Sequence, residues 1–396
     1  MNLSEVFFWV ISGLLALFYL AYYGLMFHAA KKSNNVLKRT IFPKISLVVP
    51  TYNEEKVIQR RLSDILELEY PKDALEVLVV DSGSIDNTLE LIGQFSKREK
   101  RISLRLLVQP KREGKASALN YCRPYCTGEI IVLTDADALF KKDALTKLVA
   151  SFADQSVGAV SGRLIILNAD QCTSTRFEKC YRDIFDIIRT GESNLDSTPI
   201  FNGPISAFRK ELMSDLKLNT VADDTELSLK MREKGWKAIY EPQAIAYEYT
   251  PPSFKSKIKQ KMRRGQGIIQ SFLWHRKMIF NLKYGKYGLF ILPSELFMHV
   301  ISPLLVLTIM ALAILNLIFV SDFVLPFGVL MLVSLVFFGL TRFLLKFSRE
   351  QKYLDPFEAF ATFFSNQLSL TFSMLLLIVG RDNYAWEKIG EVRTIR

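Results

Sequence analysis

The chain has 396 residues, of which 49% are hydrophobic, and it carries a formal net charge of +11 at pH 7. High apolar content combined with excess Lys and Arg is typical of a membrane protein with a basic cytoplasmic face, and no recognition motif for nucleic acid accompanies the charge. Only three histidines are present, and the four cysteines lack metal-site spacing. These counts argue against a histidine-based catalyst and a zinc site, so acid–base chemistry should fall to carboxylates.

The first apolar segment is an uncharged run from Val6 to Phe27, which is long enough to cross a bilayer. Basic residues follow it at positions 31, 32, 38 and 39 and place that end in the cytoplasm. A cleaved signal peptide is the alternative, but its basic residues would precede the apolar run. The sequence therefore predicts an N-terminal transmembrane helix within residues 1–30.

Residues 40–250 alternate short apolar runs with helical patterns. The predicted strands are 45–49, 75–80, 103–108 and 130–133, and the predicted helices between them are 54–66, 88–95 and one that begins at 116–121. This alternation predicts an α/β domain with a mostly parallel sheet and helices on both faces.

Polar, turn-forming residues follow each predicted strand. In a parallel sheet these strand ends lie along one edge, where ligands bind. Asp81 can accept hydrogen bonds from a base or ribose, while Gly114 lets the backbone approach a phosphate and Lys115 adds a positive charge there. Asp135 and Asp137, two residues apart, should face the same side and hold one divalent cation. Plain turns and a helix-capping Asp are the structural alternatives.

The strings PTYNEE, DSGSIDNT, GKASALN and TDAD, in this order, resemble the family 2 glycosyltransferases with the GT-A fold. The resemblance covers roughly residues 44–270 and extends to the membrane layout of polysaccharide synthases. It implies inverting transfer of a sugar from a nucleoside diphosphate sugar, dependent on Mg²⁺ or Mn²⁺. By the match, the nucleotide pocket is lined by Pro50, Tyr52 and Glu54, the base contact is Asp81, the diphosphate contact is Lys115, and the metal ligands are Asp135 and Asp137.

The stretch Ala222–Leu227 reads ADDTEL and resembles the acidic pair that carries the family's catalytic base. Asp224 aligns with the base and Asp223 with the acid before it. Inversion needs a base opposite the leaving group, to take the proton of the acceptor hydroxyl. The alternative is that Asp224 caps a helix over 225–233. The preceding loop, 201–206, matches a family loop near the acceptor, or it is only a turn.

Residues 251–290 form a basic segment that is expected to lie on anionic lipid headgroups. Within it, Gln260 to Arg264 resembles the Gln-x-x-Arg-Trp motif of processive synthases, with Arg264 in place of the Trp. The resemblance assigns Gln260, Arg263 and Arg264 to substrate binding, with Arg263 at the diphosphate. The missing Trp favours addition of one or a few sugars.

Three further apolar runs, 296–320, 323–340 and 357–379, fall within residues 291–380 and precede a tail at 381–396. Only Ser321 and Asp322 separate the first two runs, which predicts a tight hairpin. Four full crossings would place the basic tail outside, against the usual distribution of Lys and Arg. Either the last segment is re-entrant or interfacial, or the tail is external.

The sequence thus predicts a multi-pass membrane glycosyltransferase with a cytoplasmic GT-A domain. Its acceptor is expected to be lipid-linked, a glycolipid or a polysaccharide, because a membrane-bound enzyme has little use for a small soluble acceptor. Two alternatives stay open. One is a polyprenyl-phosphate sugar synthase, whose phosphate acceptor needs no base. The other is a non-catalytic nucleotide-binding membrane scaffold.

Overall fold

The computed structural model describes residues 2–33, 36–330, 332, 356–380 and 390–393. Its centre is one eight-stranded sheet with the order β3-β2-β1-β4-β7-β6-β8-β5. The strands are β1 (Ile45–Thr51), β2 (Leu75–Asp81), β3 (Ser103–Val108), β4 (Ile130–Leu133), β5 (Leu139–Phe140), β6 (Val157–Ile166), β7 (Ser206–Arg209) and β8 (Lys237–Glu248).

The predicted half of the sheet is parallel. Strand β1 pairs in parallel with β2 and β4, and β2 pairs in parallel with β3. Strands β2 and β4 are buried along their whole length, which is why they read as continuous apolar runs rather than alternating patterns. The four predicted strands are confirmed, and their carboxyl ends meet at one edge.

Beyond β4 the sheet is mixed. Strand β7 runs antiparallel to both β4 and β6, while β8 runs parallel to β6 and antiparallel to β5. The α/β fold class is therefore confirmed, with an antiparallel insertion that the βαβ rhythm did not predict.

Helices cover both faces of the sheet and connect it to the apolar segments. They are α1 (Leu3–Ala30), α2 (Ile58–Leu66), α3 (Thr88–Arg98), α4 (Lys115–Cys122), α5 (Ala144–Val149), α6 (Thr173–Leu195), α7 (Asp223–Glu233), α8 (Phe254–Trp274), α9 (Tyr287–Phe319), α10 (Ser321–Leu330), α11 (Pro356–Ile378) and α12 (Gly390–Arg393). The predicted start of α2 at Glu54 is wrong. Asn53 adopts a left-handed conformation with φ 52°, and the Glu54 amide donates to Thr88, so the chain turns before the helix begins.

Three described helices, α1, α9 and α11, are long and apolar enough to cross a membrane. Helix α9 ends at Phe319, and α10 begins at Ser321 after a break at Val320. Asn316 accepts from Ser4 of α1, and after the break Phe323 packs on Phe8, so the chain turns back there as predicted. Most of the predicted 323–340 segment lies outside the described residues.

Helix α6 joins the α/β domain to the long apolar helices. It crosses α1 so closely that a side chain at Gly191 would lie 2.4 Å from the Met26 carbonyl oxygen. Around this crossing the buried Arg189 donates to Glu192 and to Glu295 of α9, at 2.8 and 2.6 Å. Buried charges require such partners, so this network fixes how the domain docks.

The described part of the tail contacts the α/β domain. Arg393 lies in the cavity at the strand ends, and α11 packs along α6 and α8, where Ser373 donates to the Met262 carbonyl at 2.8 Å and Thr362 donates to the Phe177 carbonyl at 3.3 Å. These contacts favour the re-entrant or interfacial alternative for the last apolar segment over an external tail.

Candidate active site at the strand ends

A cavity of about 400 Å³ opens at the carboxyl ends of β1, β2 and β4. Nine residues assigned to the site from sequence line it, together with others that the sequence did not single out. The assigned residues are Pro50, Tyr52, Lys115, Asp135, Asp137, Asp223, Gln260 and the pair Arg263 and Arg264. They come from distant parts of the chain, so the predicted convergence on one edge is present.

One end of the cavity is aromatic. The Arg112 guanidinium lies over the Tyr52 ring, 3.8 Å from its centroid. Pro50 and Ser82 complete this wall. A flat cation–aromatic pair of this kind offers a stacking surface for a planar group such as a nucleobase.

Two assigned residues lie behind the cavity wall rather than in it. Asp81 is fully buried, and its carboxylate accepts from the amides of Gly83 and Ser84 at 2.9 and 2.8 Å, and from the Ser84 hydroxyl. Its two oxygens shape the turn whose first exposed residue is Gly83. Glu54 is also fully buried and is paired with Arg393. The sequence motif correctly placed these residues at strand ends. It did not distinguish residues that line the cavity from buried residues that support its wall.

Lys115 lies at the centre of the site. It begins α4 directly after Gly114, whose φ of 91° is a conformation that glycine adopts without strain. Its Nζ donates to Asp135 at 2.9 Å and lies 3.3 Å from Asp223. Burial alone would lower the pKa of Lys115, but the carboxylates of Asp135 and Asp223 outweigh it and raise that pKa. The ammonium is therefore held charged.

Asp135 and Asp137 lie in the loop between β4 and β5, not in extended chain. The alternation argument for this pair was thus wrong in detail, although both side chains line the same cavity. Burial would raise the pKa of Asp135, but Lys115 outweighs it and the pKa falls. Burial raises the pKa of Asp137, against the opposing effect of Arg393.

Arg393 brings a second cation to this edge from the far end of the chain. Its Nε and Nη2 donate to the two carboxylate oxygens of Glu54 at 2.5 and 2.7 Å, and its Nη2 lies 3.7 Å from Asp137. A bidentate arginine–carboxylate pair is among the stronger and more directional ion pairs. The tail thereby places a guanidinium beside Asp137, one of the two predicted metal ligands.

The two carboxylates present fit a divalent cation whose remaining ligands are substrate phosphates and water. Among the described residues, no three His, Cys, Asp or Glu side chains are grouped to enclose a metal ion. Asp135 and Asp137 supply two carboxylates. Mg²⁺ characteristically takes one or two carboxylates, with substrate phosphates and water as its remaining ligands.

Asp224 lies in the first turn of α7, which begins at Asp223. It is not the residue that caps this helix. Ala222 occupies that position, and the Asp224 carboxylate accepts from the Thr225 amide at 2.8 Å. Burial and the neighbouring Asp223 raise the pKa of Asp224 to about 6. A carboxylate poised near neutral pH is suited to accept a proton.

Helix α8 supplies the arginines and fixes the acidic loop. A side chain at Gly267 would lie 2.7 Å from the Ala222 amide nitrogen, so glycine is needed for α8 to approach the start of α7. Among the described residues, Arg263 has no carboxylate within ion-pair distance, and Arg264 lies 4.0 Å from Glu178. Nearby carboxylates nonetheless attract both guanidinium groups, Asp223 most strongly for Arg263 and Glu248 most strongly for Arg264.

A second cavity of about 100 Å³ adjoins the first. Asp224 lines this cavity and not the first one, whereas Asp223 lines both. Another wall is formed by the loop residues Phe201, Asn202 and Gly203. This is the location expected if the 201–206 loop lies near the acceptor. A Cβ added at Gly203 would lie in van der Waals contact with the Asp224 carboxylate, at 3.4 Å, so glycine leaves space beside that group.

Several charged residues at these cavities were not assigned to the site from the sequence, among them Arg112, Arg182, Glu248 and Arg393. Arg112 adjoins the Gly114–Lys115 loop, which was a usable signal. Glu248 ends β8, a strand that was not predicted; burial and Asp137 raise its pKa to about 7. Arg182 lies in the middle of α6 and Arg393 in the tail, and neither position carries a local motif.

Comparison with known proteins decides the family. The profile described as "Glycosyltransferase like family 2" matches residues 43–267, which is more than half of the chain. The chain belongs to glycosyltransferase family 2. The matched region includes every strand of the sheet and α8 up to Gly267.

Similar proteins extend this result. A "Probable glycosyltransferase YdaM" of Bacillus subtilis (strain 168) is 31% identical over 257 residues, 61% of this chain and 61% of that protein. The "Poly-beta-1,6-N-acetyl-D-glucosamine synthase" of Staphylococcus epidermidis is 28% identical over 255 residues, 63% of this chain and 60% of that protein. The chain thus spans about three fifths of the length of these curated relatives.

A solved structure matches nearly the whole chain. It is the mannosyltransferase PcManGT from Pyrobaculum calidifontis in complex with GDP-Man and Mn²⁺. The TM-score is 0.78 at 28% identity, covering 96% of this chain and 100% of that one. The GT-A fold expected from the sequence is confirmed, and the likeness includes the apolar helices.

Proposed function

We propose that this family 2 glycosyltransferase is an inverting, metal-dependent enzyme of the cytoplasmic membrane face. It moves a sugar from a nucleoside diphosphate sugar to a lipid-linked, glycolipid or polysaccharide acceptor. The observation that carries the proposal is the convergence of Lys115, Asp135 and Asp223 on one cavity, with Asp224 opening into a second cavity alongside.

The first cavity is assigned to the donor. Tyr52 and Arg112 stack on the base, and Lys115 with Arg263 binds the diphosphate. These cations offset the negative charge that grows on the diphosphate as the sugar leaves. A divalent cation held by Asp135 and Asp137 would supply further charge stabilisation there when bound. The neighbour crystallised with GDP-Man and Mn²⁺ supports this assignment.

The second cavity is assigned to the acceptor. Asp224 takes the proton of the attacking hydroxyl as its oxygen bonds to the anomeric carbon, while the bond from that carbon to the diphosphate oxygen breaks on the opposite face. This geometry inverts the anomeric centre and leaves the proton on Asp224. Gly203 and Asn202 border the path of the hydroxyl.

The helices support a multi-pass membrane protein. Helices α1, α9 and α11 meet the length and apolarity needed for crossing. The basic residues that follow α1 support a cytoplasmic catalytic domain. We assign residues 1–30 to the first span, 40–250 to the catalytic domain, 251–290 to the interfacial segment and 291–380 to the later apolar helices.

The test is a donor panel on the full chain in detergent or nanodiscs with Mn²⁺, with released nucleoside diphosphate as the readout. GDP-mannose heads the panel because the similar solved structure contains it, and UDP-N-acetylglucosamine follows because a relative is named for a polymer of N-acetylglucosamine. Release from at least one donor, abolished by chelator and by Asp135→Asn, is the expected result. A folded protein that releases no nucleotide and binds none in a metal-dependent way would support the scaffold alternative instead.

A further inference from the structure

The second cavity is lined by cations as well as by the carboxylates of Asp135, Asp223 and Asp224. Three arginines, Arg182, Arg263 and Arg264, line it beside the aromatic residues Tyr181, Phe185 and Phe201. Arg263 and Arg264 also line the first cavity and can be used by the donor diphosphate. Arg182 lines only the second cavity, so it has no assigned task in donor binding.

Arg182 is held rigidly. It is 8% exposed; its Nε donates to Glu178 at 3.2 Å and its Nη1 to Asn202 at 2.9 Å. Asn202 is itself fixed, because its side-chain nitrogen donates to the Gly162 carbonyl at 2.8 Å. The remaining terminal nitrogen of Arg182, Nη2, makes no hydrogen bond to a described residue. A guanidinium fixed on two sides with its third edge free is preorganised for an incoming acceptor atom.

The local charge is unbalanced. Four cationic side chains lie within 4.0 Å of the Glu178 carboxylate, namely Arg182, Lys257, Lys261 and Arg264, and the carboxyl of Glu248 also attracts Arg182 and Arg264. Arg263 adds a fifth cation without an ion-pair partner among the described residues. Burying unneutralised charge is costly unless a counter-ion arrives. On the other side of the cavity, Lys115 already neutralises part of the acidic cluster.

The cationic cluster also borders the membrane helices. Lys261 of α8 donates to Asn366 of α11 at 2.5 Å, and Arg176 of α6 pairs with Glu358 of α11 at 3.6 Å. The cationic cluster, whose Arg182 and Arg264 line the second cavity, therefore adjoins α11, a helix that is apolar enough to cross a bilayer. An acceptor reaching Asp224 from that side would present a headgroup to Arg182.

We propose that the acceptor carries an anionic group of the phosphate type, and that Arg182, with Arg263 and Arg264, binds it in the second cavity. This inference rests on the proposed glycosyl transfer for its meaning, but the anion site itself exists without donor or turnover. Arg182 is a positioning residue here, because it holds the acceptor and does not touch the reacting atoms. The anion can belong to a lipid headgroup or be free phosphate.

The test measures anion binding to the full chain in phosphatidylcholine nanodiscs, without donor or metal, by calorimetric titration. Three probes are compared, namely farnesyl phosphate, the uncharged farnesol and inorganic phosphate. The variants are Arg182→Gln, Arg182→Lys and, as a matched control on the same helix, Arg176→Gln, which lies outside both cavities. Melting curves and nucleoside diphosphate binding establish that each variant is folded.

Farnesyl phosphate should bind the wild type and Arg176→Gln alike, and at least about tenfold more weakly to Arg182→Gln, since hydrogen bonds to charged groups are worth that much. Arg182→Lys should retain part of the affinity because it keeps the charge but loses the fork. Stronger binding of farnesyl phosphate than of inorganic phosphate identifies a lipid headgroup, and equal binding identifies free phosphate.

Equal affinity of farnesyl phosphate and farnesol, or equal affinity of folded Arg182→Gln and wild type for both anions, would overturn the inference. Such a result would leave glycosyl transfer intact if the donor panel still shows turnover. Conversely, anion binding that depends on Arg182 in a protein without donor turnover would remove the proposed function and keep the site.

Discussion

Replacement of Asp224 by Asn tests the assignment of the catalytic base. The substitution keeps the size and the hydrogen bond from the Thr225 amide but removes the proton acceptor. A positioned general base contributes about 10²–10⁴-fold to rate, so turnover should fall by about that factor while donor binding is retained. The residue lines only the second cavity, which is why donor binding is not expected to change.

The pH dependence of turnover tests the same assignment independently. With a pKa of about 6, about nine tenths of Asp224 is ionised at pH 7 and about one tenth at pH 5. Because the ionised form is the active one, kcat/KM should fall about tenfold between these values, and this acid limb should vanish in Asp224→Asn. Glu248→Gln is the control, since the pKa of this nearby carboxyl is also raised, to about 7.

The assay is nucleotide release at saturating Mn²⁺ between pH 5 and 8, in parallel with melting curves. Folding raises the pKa of Asp224, so the folded state holds this proton more tightly than the unfolded state, and the carboxyl costs stability as the pH rises through about 6. Asp224→Asn should therefore not melt earlier at pH 7. Turnover within threefold of wild type, with the acid limb unchanged, would refute the base and favour direct attack by an acceptor phosphate, as in a polyprenyl-phosphate sugar synthase.

Three further outcomes follow from the geometry. Tyr52→Ala should weaken nucleotide binding by about five- to hundredfold, the usual worth of base stacking, while Tyr52→Phe keeps it; calorimetry with the nucleoside diphosphate decides. Arg393→Gln removes a guanidinium 3.7 Å from Asp137, so Mn²⁺ should bind the donor-free protein at least about threefold more tightly, by electron paramagnetic resonance; weaker binding would contradict this. Gly267→Val should displace the Ala222 loop and lower turnover at least about tenfold, whereas Gly93→Ala should not, because nothing lies within 4 Å of the added Cβ there; equal loss in both would refute the packing argument.

The half of the sheet that holds the donor cavity was predictable because its strands are uniformly buried. Such strands read as short apolar runs, and parallel connections force their polar ends to one edge, so Lys115 and Asp135 could be placed together before any coordinates. Strands β5 to β8 were not predicted. Strand β8 carries polar residues at partly exposed positions and a register shift, so no strand period stands out.

The residues missed at the site are those whose position depends on long-range packing. Arg393 meets Glu54 across 339 positions of sequence, and no local pattern reports such a contact. Arg182 lies on a helix that is charged along much of its length, which usually indicates a solvated face, yet this side chain is buried and bonds to Glu178 and Asn202. Asp81 and Glu54 show the converse, because a motif identifies the strand end but not which side chains turn inward.

The central claim is that Asp135 and Asp137 hold a divalent cation against the diphosphate of the donor. Pulsed electron paramagnetic resonance of Mn²⁺ bound to the full chain, with a nucleoside diphosphate added, measures this contact through the coupling of the metal to phosphorus. We expect a coupling between Mn²⁺ and phosphorus in the wild type, and we expect it to disappear in a folded Asp137→Asn variant. Nucleotide binding that proceeds equally well without metal, or bound Mn²⁺ that shows no phosphorus coupling, would contradict it.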